Sequence, residues 1–242
     1  MHKHTARRMP VFLMSLVLAW AGLSYANDAG DSYLTVPANA DGIGKSYMGR
    51  EIAQVMGWQG APWLERDERE QEERSDLLLL ELGLKAGMAV ADIGAGTGYY
   101  ARRIAPLVGP TGIVYAVDVQ PEMVKMLDAL SKRPEWVNIK PILGGVDDVK
   151  LPALSVDVAI MVDVYHELEY PHEVLESVVR ALKPGARLVF AEYRAEDPNV
   201  PIKRLHKMSE AQVRREALRH ELTWERTAHT LPWQHMVIFR RR

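Results

Sequence analysis

From residue 88 onward the chain alternates short apolar runs with longer segments whose apolar residues recur at helical spacing. Residues 88–93, 112–119, 137–143, 156–162 and 186–193 have the length and bulk of buried strands. Between them, residues 97–108, 121 to about 132, and 171–182 read as helices. Strands that alternate with helices predict a mostly parallel sheet covered on both faces. Lys183-Pro184-Gly185 is a turn signal ahead of the fifth strand. Ser209 is placed to cap a helix running to about His220, with Glu210 in its first turn. Residues 221–229 and 234–239, parted by Leu231-Pro232, predict a terminal antiparallel pair.

The pattern before residue 88 differs. Residues 47–56 predict a short helix, and Pro62 suits the first turn of another. Residues 65–74 are almost wholly charged, with Glu65/Arg69 and Glu70/Arg74 at i, i+4, which predicts a solvated helix. Residues 77–82 supply an apolar face and Gly83 its end. Residues 27–45 are rich in Gly, Asp, Asn and Ala and read as a flexible leader. At the N-terminus, Lys3, Arg7 and Arg8 precede an apolar run over 11–23, and Ser24-Tyr25-Ala26 follows as a cleavage site. That is the layout of a secretory signal peptide over 1–26, which implies a periplasmic or secreted protein. Left uncleaved, the same segment would associate the protein with a membrane, although the run is short for a span. The division expected is 1–26 signal peptide, 27–45 leader, 46–82 helical extension or lid, and 83–242 main domain.

Composition narrows the choice. A chain of 242 residues holds one large α/β domain with additions. The formal net charge is −2 and no basic stripe interleaves with aromatics, which argues against a nucleic-acid partner. There is no cysteine, which excludes disulfides, thiolate metal sites and cysteine nucleophiles.

The chemistry concentrates at the ends of the expected strands. In Val90-Ala91-Asp92-Ile93-Gly94-Ala95-Gly96-Thr97-Gly98 an apolar strand ends near an acid and turns through three alternating glycines into a helix. Glycine permits torsions and close approaches that a side chain forbids. The dinucleotide pattern G-x-G-x-x-G would need a glycine at Tyr99. Asp118 ends the second strand about twenty residues later, where a carboxylate receives ribose hydroxyls in such sheets. The alternative for Asp118 is a cap on the helix that starts at Pro121. After the third strand comes Gly144-Gly145-Val146-Asp147-Asp148, and after the fourth Asp163-Val164-Tyr165-His166-Glu167. Ligands bind outside such carboxyl ends in open α/β sheets.

The Asp-x-Gly-x-Gly-x-Gly stretch resembles motif I of the class I S-adenosylmethionine-dependent methyltransferases. The segment from Met161 to Glu167 resembles the small-molecule, quinone-biosynthesis type among them. The resemblance spans residues 77–242. It implies a doubly wound, Rossmann-like sheet of seven strands, mostly parallel with an antiparallel last strand. It also implies S-adenosylmethionine as cofactor and methyl transfer to a small-molecule acceptor by direct displacement. Gly94, Ala95, Gly96 and Gly98 would contact the methionine portion, with Asp92 orienting the loop and Asp118 and Val119 at the ribose. Many family members carry an acid directly after a glycine at the third station to hold adenine. Gly145 stands there in this chain, which leaves the Val146 backbone N–H or Asp147 for that contact. Asp163, Tyr165 and His166 would face the methyl donor, and a neutral His166 would accept the acceptor's proton; the alternative is that His166 satisfies loop carbonyls, Tyr165 only packs, and positioning alone drives the displacement.

His166, Glu167, His172 and Glu173 suggest a metal, but their spacing is not H-E-x-x-H and Pro171 interrupts them, so no metal is expected. Residues 58–69, with Trp63 and Arg66, and His206-Lys207-Met208 either cover the acceptor pocket or are ordinary packing and surface. Two rivals stand beside this reading, a non-catalytic S-adenosylmethionine-binding scaffold or sensor and a nucleotide-dependent oxidoreductase.

Overall fold

A computed structural model describes residues 1–2 and 33–242. Residues 3–26 of the expected signal segment and residues 27–32 of the leader lie outside the described residues. The described chain opens with a small antiparallel sheet of β1 (Leu34–Thr35), β2 (Gly42–Tyr47) and β3 (Arg50–Ala53). This corrects two expectations. Part of the supposed leader, Leu34–Thr35 and residues 42–45, is paired strand, and residues 47–53 are the turn and returning arm of a hairpin rather than a helix. The cause is the turn. Met48 and Gly49 both have positive φ, 46° and 92°, between the paired residues Tyr47 and Arg50. A two-residue turn of that kind matches the twist of antiparallel strands.

Three short helices follow, α1 (Ala61–Leu64), α2 (Arg69–Glu73) and α3 (Ser75–Leu82). Pro62 occupies the first turn of α1, and Gly83 ends α3 in the left-handed region, as expected. α2 is not a solvated helix. Its Arg69 and Glu73 are buried and form the i, i+4 pair at 2.8 Å. The residues expected to pair within it reach elsewhere: Glu65 to Arg102, Glu70 to Arg103 and Arg74 to Asp76.

The main sheet contains β4 (Ala89–Ile93), β5 (Ile113–Asp118), β6 (Ile139–Leu143), β7 (Val156–Val162), β8 (Leu182–Tyr193), β9 (Leu222–Ala228) and β10 (Gln234–Arg241). Their order is β6-β5-β4-β7-β8-β10-β9. The pairs among β4 to β8 are parallel, and β10 runs antiparallel to both β8 and β9. The Lys183-Pro184-Gly185 signal is a break within β8, where pairing passes from Val156↔Leu182 to Val158↔Arg187.

Successive β4 residues point to opposite faces, and both faces are covered. Val90 joins a core with α3, α4 (Tyr99–Val108) and α5 (Pro121–Ser131). Ala91 and Ile93 join a second core with α6 (Pro171–Ala181) and α7 (Glu210–Ala217). All five β4 residues are therefore buried. The next strand in sequence, β5, lies on one side of β4, and β7 lies on the other. A crevice opens where the order reverses in this way, at the carboxyl ends of the strands. Among the described residues no helix is long and apolar enough to cross a membrane.

Candidate active site

The chain leaves β4 through the glycine loop. Gly94 and Gly96 adopt φ of 72° and 54°. A Cβ on Gly94 would lie 2.5 Å from a methyl of Val164. No larger residue fits there. The N–H groups of Gly94 and Ala95 donate to the Val117 carbonyl, at 2.8 and 2.9 Å. The Gly96 N–H donates to Asp118 Oδ2 at 2.9 Å, and Asp118 Oδ1 accepts from the Gln120 N–H at 2.9 Å. Asp118 therefore ties the loop to the end of β5. It also accepts the Gln120 N–H just ahead of α5, a helix whose own N-cap, Gln120, makes no side-chain capping bond. Burial raises its pKa against those N–H bonds.

The loop floors a cavity of about 640 Å³ at the switch point. Asp92, Gly94, Ala95, Gly96, Asp118, Val119 and Val146 line one end. Gly98 does not line it. It starts α4 at φ 85°, and a Cβ there would sit 2.7 Å from Leu130 Cδ2, so its role is helix packing. Asp147 is exposed and also off the lining, while Val146 and Gly145 line it.

Three buried polar atoms on the lining have no hydrogen-bond partner, namely Asp92 Oδ2, Tyr100 Oη and Asp163 Oδ1. Buried polar groups are normally paired, so three on one wall mark a place where a polar ligand completes the structure. Burial pushes the Asp92 carboxyl up to about 7, against the Ala101 N–H and the charge of Arg69. Asp163 sits at φ 55°, unusual for a side-chain-bearing residue, and its Oδ2 accepts from Gln234 Nε2 at 2.7 Å. Burial, then the nearby Glu73 and Glu192, push its pKa well above the carboxylate range.

Beyond Asp163 a 3₁₀ turn, Tyr165–Glu167, sends successive side chains in different directions. Tyr165 is the correction here. It is fully buried in the core, its ring edge-on to Phe190 at 4.9 Å, and it does not line the cavity. His166 does line it. Its Nδ1 donates to Glu192 Oε2 at 2.6 Å, and Glu192 Oε1 accepts the Tyr165 N–H. Burial alone would lower the His166 pKa, but Glu192 outweighs it and the net shift is upward.

The far end of the cavity is closed by the N-terminal extension and a late loop. Trp63 and Leu64 line it, as does His206. Arg66 instead stacks on Trp63 at 3.7 Å, Lys207 is off the lining, and Met208 is core. Several lining and supporting groups had no signal in the sequence. Arg69 lines the cavity and is held by Glu73, which also accepts from Arg66 and Tyr193. Met56 bonds both sides of the crevice, its N–H to Glu167 at 3.2 Å and its carbonyl from Gln120 at 3.0 Å. Of the four residues that suggested a metal, His172 and Glu173 face Tyr47 and Tyr33, away from His166.

Residues 91–190 match the methyltransferase domain family. The chain is 31% identical over 112 residues to a ubiquinone/menaquinone biosynthesis C-methyltransferase, UbiE, of Ectopseudomonas mendocina, covering 46% of this chain and 44% of that protein. It is 33% identical to the UbiE of Pseudomonas putida over the same shares. The matched region is thus less than half the length of these curated relatives. Among solved structures, a SAM-dependent methyltransferase from Aquifex aeolicus superposes with a TM-score of 0.73 at 26% identity, over 78% of this chain and all of that one. The glycine loop, the carboxylate at the end of β5 and the unpartnered polar atoms between them fit the cofactor of that family. The chain therefore carries a class I methyltransferase domain on a Rossmann-like sheet, with S-adenosylmethionine as its cofactor.

Proposed function

We propose that this protein methylates a small, largely apolar acceptor bound between the glycine loop and the N-terminal cap. The observation that carries this reading is a shared cavity. The cofactor cradle and the Glu192-backed His166 line one cavity. When bound, S-adenosylmethionine supplies a methyl group already activated on a sulfonium. Asp118 and Val119 would hold the ribose. Asp92, Tyr100 and Asp163 would take the methionine end, where each has a polar atom to pair. Val146 would flank the adenine. Val55, Met56, Trp63, Leu64, Leu168 and Ile202 would enclose the acceptor and exclude water. The UbiE relatives, C-methyltransferases of ubiquinone and menaquinone biosynthesis, support a small-molecule acceptor.

His166 is the residue placed to accept a proton from the acceptor's attacking atom. Glu192 fixes its ring and makes it the stronger base. Positioning within the cavity contributes the rest of the rate. The test is transfer of labelled methyl from S-adenosylmethionine to a panel of phenols, enols and thiols. His166→Ala should lower turnover by about 100-fold or more, with cofactor affinity within a few-fold. Normal turnover in that variant would remove the proton-accepting role.

We further read residues 1–26 as an export signal, supported by Lys3, Arg7 and Arg8, the apolar run and the Ser24-Tyr25-Ala26 site. A reporter fused to the full chain should leave the cytosol, and one fused to residues 27–242 should remain. Export of the shorter fusion would refute the reading.

A further inference from the structure

The sequence argues against a metal because the neighbouring acids and histidines have the wrong spacing. The fold supplies a different set. The 3₁₀ turn Arg204–His206 carries His206 over the cavity, against His166. One ligand atom each from His166, Glu167 and His206 lies within 4.8 Å of the others. Glu167 Oε1 is 3.8 Å from His166 Nε2 and 3.1 Å from His206 Nδ1. Ligands about 2.0–2.1 Å from a tetrahedral ion stand about 3.3 Å from each other. The observed separations bracket that value. The longer one exceeds a hydrogen bond, so Glu167 and His166 are not simply bonded to each other.

The surroundings orient each donor. His166 gives its Nδ1 hydrogen to Glu192, which leaves Nε2 with its lone pair toward Glu167. A carboxylate behind a histidine is the usual support of a metal-binding imidazole. Glu167 gives its other oxygen to the Met56 N–H at 3.2 Å, which turns Oε1 toward the two rings. All three residues line the cavity, so an ion among them would keep a position open to it. Three protein ligands and an open position describe a catalytic rather than a structural site. Two imidazoles and one carboxylate suit zinc and its late first-row neighbours.

We propose that His166, Glu167 and His206 bind one divalent first-row ion, zinc in the first instance, with an open coordination position for a donor atom of the acceptor. The role given to the open position rests on the methyl-transfer reading, whereas ion binding by the three residues does not and is read without turnover. In the metal-bound form His166 is a ligand, and its proton-accepting role belongs to the metal-free form.

The experiment uses untagged full-length protein stripped with a chelator and then titrated with Zn²⁺ against a chromophoric competitor. One equivalent should bind. His206→Ala and Glu167→Gln should each weaken binding at least ten-fold, with unchanged circular dichroism. His229→Ala, a histidine at the surface elsewhere, should not change it. Co²⁺ in place of Zn²⁺ should give visible d–d absorption that His206→Ala abolishes. Failure to bind one equivalent, or equal affinity in wild type and His206→Ala, would overturn the proposal. S-adenosylhomocysteine binding, measured on the same samples with and without Zn²⁺, tests the methyltransferase reading separately.

Discussion

The two ends of the cavity are built in different ways. The cofactor end comes from chain neighbours: β4, its glycine loop, and the tips of β5 and β7 beside it. Its groups are fixed by backbone geometry and by N–H bonds onto one carboxylate. The acceptor end is assembled from afar. Met56, Trp63 and Arg69 come from the N-terminal extension, His166 from the turn after β7, and His206 from the loop after β8. It is held by buried ion pairs and single long-range hydrogen bonds. A cofactor shared by a whole family needs the same backbone cradle each time. An acceptor pocket is free to be built from whatever the insertions bring.

Substitutions at each end should therefore fail in different currencies. The largest effect belongs to the cap. Glu73 is fully buried and neutralises Arg69 and Arg66, so Glu73→Ala should cost about 3–5 kcal/mol in denaturant unfolding, because it strands a buried cation. A loss under about 1 kcal/mol would mean that the cap is not packed as described. Next comes the cofactor end. Asp118→Ala removes a carboxylate that anchors the loop and would receive the ribose, and S-adenosylhomocysteine affinity should fall about 100-fold. Unchanged affinity would place the ribose elsewhere.

A pH effect should follow at Asp92. Its folded pKa is about 7, above the value near 4 of an unfolded chain, so the ligand-free fold holds a proton that the unfolded chain releases. That contribution to stability is present below about pH 4 and lost as pH rises toward 7, by up to roughly 1.4 kcal/mol per unit. Asp92→Asn should flatten this slope in pH-dependent unfolding, and an unaltered slope would contradict the burial effect. The smallest effect lies outside both ends. Ser209 caps α7 by accepting the Gln212 N–H, and Ser209→Ala should cost about 1 kcal/mol with turnover unchanged.

The same division explains what could be read from the chain. The strands after residue 88, the glycine loop and Asp118 were legible because local periodicity and spacing encode them. The N-terminal hairpin was not, because its decisive feature is a two-residue Met48-Gly49 turn, with a positive φ at Met48 that no hydrophobic periodicity announces. The charges of α2 showed helical spacing but not which of them turn inward, and Arg69 and Glu73 did. Tyr165 sits beside His166 in sequence, yet the tight turn sends it into the core. Gly98 shared the spacing of its neighbours but serves the packing of α4 on α5. His206 is forty positions beyond His166, so no spacing rule would have paired them.

Calorimetric titration of the full-length protein with S-adenosylhomocysteine, with NADH as the control, tests the cofactor assignment most directly. One-to-one binding in the micromolar range or tighter, with no heat from NADH, is the result expected from the glycine loop, Asp118 and the unpartnered atoms Asp92 Oδ2, Tyr100 Oη and Asp163 Oδ1. Correctly folded protein that ignores S-adenosylhomocysteine, or that binds NADH as well or better, would contradict it.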